Sequence, residues 1–73
     1  MPFVYILKGN RFYIGSTIDW KERIRAHESG KVHTTKRIGT WKLVRLIETQ
    51  TLKEAQGLER KIKRSGHPER WIK

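Results

Sequence analysis

Val4–Thr17, VYILKGNRFYIGST, decides how this chain is read. Two short runs of aromatic and branched residues, Phe3–Leu7 and Phe12–Gly15, flank Lys8-Gly9-Asn10-Arg11. Runs of this composition either side of a Gly-Asn pair predict a β-hairpin. Each run carries one tyrosine. Residues two apart on a strand share a face, so Tyr5 lies with Phe3 and Leu7, and Tyr13 lies opposite Phe12 and Ile14. Whether both phenols face one side depends on the pairing register, which composition does not determine.

Downstream, Asp19-Trp20-Lys21-Glu22 has the form of a capping box and opens a helix running to about Ser29, where Gly30 can stop it. A basic loop, GKVHTTKRIGT, follows. The segment WKLVRLIET is almost continuously apolar, which predicts a third strand that is central or well covered. Thr51–Glu54, TLKE, is a second capping box, opening a helix through about Arg64 before Ser65-Gly66. HPERWIK adds one short helical turn, with Pro68 early in it and Trp71 packing back. The expected architecture is α+β: a small three-stranded mixed or antiparallel sheet flanked by helices, in the order β-β-α-β-α with a short C-terminal helical turn.

The 73 residues are read as one domain, 1–73, and they contain no cysteine, which removes disulfide frameworks and thiolate zinc clusters from consideration. No apolar run is long enough for a membrane span and no signal peptide is visible, so a cytoplasmic address is expected. Seventeen Lys and Arg against seven Asp and Glu give a formal charge of +10, a balance that favours polyanions, nucleic acid first. The positive residues are spread over both halves, eight in residues 1–37 and nine in 38–73, so they do not form a basic tail on a neutral body. Nor do they stand opposite a broad apolar face, as a membrane-surface helix requires. An RRM-like module is excluded by element order, because the final strand is missing.

On the second helix, Leu52, Ala55, Leu58 and Ile62 form one apolar stripe at about 100° per residue, and Glu59 falls within it. A carboxylate at such a position is costly unless paired, protonated or bound to a metal. Pairing with Lys63, one turn later, is the alternative to a functional role. On the first helix, Trp20 and Ile24 define the inward direction, and Arg23 and His27, four apart, can aim at one point. Taken singly, Arg23 reads as a solvated charge and His27 as a packed core histidine.

Taken together, these positions resemble the GIY-YIG nuclease family. The likeness rests on FVY at Phe3–Tyr5, YIG at Tyr13–Gly15, Arg23 eight residues after that glycine, His27 one turn later, and Glu59 in LERKIKRSG. YIGST followed by ERIRAHESGK and then WKLV is similar to small stand-alone members related to the nuclease domain of the excision-repair protein UvrC. The resemblance implies a metal-dependent DNA endonuclease of low sequence specificity, acting in DNA repair or recombination, with RNA left open as a substrate. It maps the Mg²⁺ or Mn²⁺ carboxylate onto Glu59 and the scissile-phosphate contact onto Arg23. Tyr5 and Tyr13 would orient or deprotonate the attacking water, and His27 would relay a proton or touch phosphate. A phenol with a pKa of about 10 is a poor base at neutral pH, so Arg23, the metal and the positive field are expected to lower it. Gly15 would let the strand turn into the helix or let phosphate approach the backbone.

Lys31, His33, Lys36 and Arg37 in the basic loop, with Arg60 and Lys63 on the second helix, are the expected nucleic-acid contacts. The sequence departs from the family pattern in having Phe3 where the first triplet has Gly, and in lacking an Asn after the second helix. A binding module with little or no catalysis, and a subunit that needs a protein partner, are the alternative readings.

Overall fold

The computed structural model describes residues 1–30 and 39–72. Strand β1 (Phe3–Lys8) turns through Gly9–Arg11 into β2 (Phe12–Thr17), and helix α1 (Trp20–Glu28) follows. Strand β3 (Lys42–Glu48), helix α2 (Leu52–Ser65) and a 3-10 turn (Pro68–Trp71) complete the order. Both strand pairings are antiparallel and the sheet order is β2-β1-β3. The α+β expectation holds, with the sheet antiparallel rather than mixed.

The apolar pattern misleads about which strand is central. That strand is β1, whose Val4, Tyr5, Ile6 and Leu7 are at most 1% exposed. Burying side chains of this size stabilises a fold by roughly 1.5–3 kcal/mol each. β3 is an edge strand and only partly buried: Leu46 packs on one side of the sheet, Val44 and Ile47 on the other, and Leu43 is 36% exposed. A bulge interrupts its ladder, since Ile6 pairs with Arg45 while Leu7 pairs with Leu43, leaving Val44 as the extra residue.

Alternation along the strands sorts the core into two layers. Val4, Ile6 and Ile14 face α2, where Ala55 and Ile62 are fully buried and Leu58, Trp71 and Ile72 close the cluster. Tyr5 and Leu7 face the other way, packed with Tyr13, Ile24, Trp41 and Leu46. The sheet therefore lies between α1 and α2. At the start of the expected α2 stripe, Leu52 is 39% exposed, because it occupies the first helical position, beyond the reach of the sheet.

Both predicted N-caps form, though the Asp19 N–H donates to Thr17 Oγ1 rather than to Glu22 as a full capping box requires. Asp19 Oδ1 accepts from the Glu22 N–H at 3.2 Å, and Thr51 Oγ1 accepts from the Glu54 N–H at 3.1 Å. Gly66 ends α2 in the left-handed region, φ 70°. Because α1 carries Arg23 and His27, its cap bears on the site. Asp19→Ala is expected to lower unfolding free energy by about 1 kcal/mol, read by urea denaturation.

Candidate active site

Register settles the face question. Tyr5 pairs with Gly15 and Leu7 with Tyr13, so the two phenols lie diagonally on the α1 face of the sheet. Their rings stack with centroids 6.1 Å apart and planes 27° from parallel. His27 stands edge-on to both rings, at 5.5 Å from Tyr5 and 5.0 Å from Tyr13, and to Trp41 at 6.0 Å.

The polar tips form a chain. Arg23 Nε donates to Tyr5 Oη at 3.3 Å, and Tyr5 Oη lies 3.0 Å from His27 Nε2. Tyr5 Oη thus accepts from Arg23 and shares a second hydrogen bond with the imidazole, whose direction is set by the His27 tautomer. His27 is 3% exposed, and burial beside the Arg23 cation holds its pKa below the ordinary value, so the ring is neutral. Arg23 itself is exposed, so its guanidinium remains open to solvent while Nε is pinned. Hydrogen bonding to the phenols, Tyr5 foremost, raises its pKa further.

At Tyr5 the protein surroundings alone act against the expected fall in pKa. Burial pushes it up to about 12, and the hydrogen bond from Arg23 only partly opposes that shift. Tyr5 therefore stays protonated at neutral pH. Tyr13 is the less buried of the two phenols.

Gly15 has a role that sequence reasoning missed. It lies within β2, not at a turn, and a Cβ there would stand 2.5 Å from Tyr5 Cζ and closer still to Oη. The missing side chain is the seat of the Tyr5 ring. The facing pair Tyr5↔Gly15 is visible only once register is known.

Glu59 does not join this cluster. Ser16 alternates with Gly15 and points to the α2 face, where its Oγ donates to Glu59 Oε1 at 2.6 Å. Lys63 Nζ donates to Glu59 Oε2 at 2.6 Å, so the helix pairing considered from spacing is present. The Glu59 side chain is 21% exposed and opens onto a cavity of about 460 Å³ lined by Ser16, Gln56, Glu59, Arg60 and Lys63. Tyr5, Tyr13, Arg23 and His27 thus occupy one flank of the edge strand β2, and Glu59 the other, with Arg60 and Lys63 beside it. Lys31, His33, Lys36 and Arg37 fall outside the described residues.

Among the described residues no three His, Cys, Asp or Glu side chains gather as a ready metal cluster. A lone carboxylate in an open polar cavity nevertheless suits a hard cation such as Mg²⁺, which keeps several waters and takes one or two carboxylates together with substrate phosphate. Glu59 meets that demand in donor type, with Oε2 open to a cation once Lys63 moves away.

The model of the GIY-YIG catalytic domain matches residues 1–71, and the chain belongs to that family. A domain of this kind is a nuclease, and its substrate is nucleic acid. Comparison with curated proteins and with solved structures returns no significant match. No helix among the described residues is long and apolar enough to cross a membrane.

Two outcomes follow from the geometry. Gly15→Ala forces a methyl group into the Tyr5 ring and is expected to cost about 1–3 kcal/mol, measured by thermal or urea unfolding. The raised Tyr5 pKa gives a stability contribution that is intact below pH 10, where folded and unfolded chains are both protonated. It is lost between pH 10 and about 12, where only the unfolded phenol ionises. Stability should fall by roughly 2–3 kcal/mol across that window, and by less in Tyr5→Phe, in urea titrations at stepped pH.

Proposed function

We propose that the chain is a metal-dependent DNA endonuclease, hydrolysing phosphodiester bonds with little sequence preference in the cytoplasm, in the service of DNA repair or recombination. One observation carries the reading. An exposed guanidinium pinned among phenols and a carboxylate open to a cavity flank the same edge strand, β2. A nucleic-acid backbone crossing the free side of β2 meets both.

In this reading Arg23 takes the scissile phosphate, where a permanently charged planar fork offsets developing charge on the oxygens. Its aim is set by Tyr5, which stays protonated and acts as a positioning residue, and Tyr5 is in turn oriented by neutral His27. Tyr13, the more accessible phenol, orients the attacking water and accepts its proton. Glu59, held by Ser16, carries the Mg²⁺ or Mn²⁺. When bound, that ion supplies Lewis-acid stabilisation of the phosphate. Arg60 and Lys63 on one flank, and Lys31, His33, Lys36 and Arg37 of the basic loop, hold the backbone by contacts that carry little sequence information.

A second reading, binding without cleavage or activity only with a protein partner, is favoured by the engagement of both Glu59 oxygens by Ser16 and Lys63. A panel of branched, nicked and single-stranded DNA, with an RNA strand for comparison, separates the two when incubated with Mg²⁺ or EDTA. The proposal expects nicking of DNA that needs Mg²⁺ and falls at least about 100-fold in Glu59→Gln and in Arg23→Ala. Binding, sustained by the remaining positive charge and weakened by salt, should persist in both variants. Salt-sensitive binding with no cleavage under any condition would favour the second reading.

A further inference from the structure

We infer that Lys63 is a substrate-displaced counter-ion: it occupies the Glu59 carboxylate until a nucleic-acid phosphate draws it away, so metal and nucleic acid bind this site cooperatively. The inference rests on the assignment of Glu59 as the metal carboxylate.

Four features support it. The two carboxylate oxygens have different partners, Ser16 Oγ on Oε1 and Lys63 Nζ on Oε2, both at 2.6 Å. The Ser16 hydroxyl hangs from a strand and keeps Glu59 in place whichever partner holds the other oxygen. The Lys63 side chain is 53% exposed on a flexible four-carbon stem, so the ammonium can swing out while the carboxylate stays. Finally, the cavity is lined by two cations, Arg60 and Lys63, against one carboxylate, Glu59.

Charge then decides the order of events. A free dication entering this cavity meets an ammonium already on its ligand and a guanidinium beside it. A phosphodiester meets two cations. It offers Lys63 a replacement partner and leaves Oε2 unpaired next to a newly arrived negative charge, which is an attractive place for a dication. An ordinary exposed i, i+4 pair would have no such consequence, since pairs of that kind contribute little. This pair differs in that its carboxylate is four-fifths covered, fixed by a second donor and turned into a cavity. Because linkage is reciprocal, metal tightens nucleic acid by the same factor as nucleic acid tightens metal.

The test is Mn²⁺ binding by electron paramagnetic resonance, with and without a short DNA duplex whose integrity is checked on a denaturing gel. Wild type, Lys63→Met, Lys63→Arg and Glu59→Gln are compared, with folding checked by circular dichroism. Wild type should bind Mn²⁺ weakly alone and about tenfold more tightly with DNA. Lys63→Met should bind Mn²⁺ alone roughly tenfold more tightly than wild type, with the DNA effect shrinking to about twofold or less. Lys63→Arg, which keeps the charge, should resemble wild type, and Glu59→Gln should lose the site. Equal Mn²⁺ affinity in wild type and Lys63→Met, both abolished by Glu59→Gln, overturns the counter-ion role while leaving the metal reading intact. Mn²⁺ binding that is absent throughout, or indifferent to Glu59→Gln, overturns both.

Discussion

Tyr5 sits in the middle strand with its ring on the backbone of Gly15 and its hydroxyl between Arg23 and His27. A buried hydroxyl without partners would cost about 1–3 kcal/mol, so the ring's position commits α1 to bring those two side chains over the sheet. Much of the α1 face follows from this requirement. The phenol cannot move toward β2 without striking it, and the guanidinium and imidazole are drawn to one oxygen. Tyr5, one of the two phenols that the resemblance places at the attacking water, is thus also the pin between them.

The second organising constraint is that β2 is at the edge of the sheet. Neighbouring residues on a strand point to opposite faces, so Gly15 and Ser16 serve the two helices separately. A site that draws on both α1 and α2 can then be reached around one strand. Had β2 been central, its two flanks would have been separated by hydrogen-bonded neighbours on both sides.

Much of this was legible in the residues themselves. The hairpin, both N-caps and the Gly66 stop depend on neighbours within a few positions, and each appears where spacing places it. The aim of Arg23 and His27 at one point is likewise a property of a single helix turn. What escaped was non-local. Strand order is not written in the hydrophobicity of β3, because an edge strand that sends apolar residues to both sides of the sheet reads as a core strand. The clash that reserves Gly15 exists between two strands, and only their register reveals it. Glu59 was placed on the correct sector of its helix, yet a helical wheel gives direction without distance. The residue lies at the rim, beside Ser16 and Lys63, and the apolar interior belongs to Ala55 and Ile62.

The Val44 bulge has a bearing on how the molecule behaves among its own copies. Unpaired amide and carbonyl groups on an outer strand are a template on which another chain can assemble. Here that margin is kinked by the extra residue and carries the exposed cations Lys42 and Arg45, on a chain whose overall charge already repels its like. The far border of the sheet is thereby protected against pairing edge to edge with a second copy.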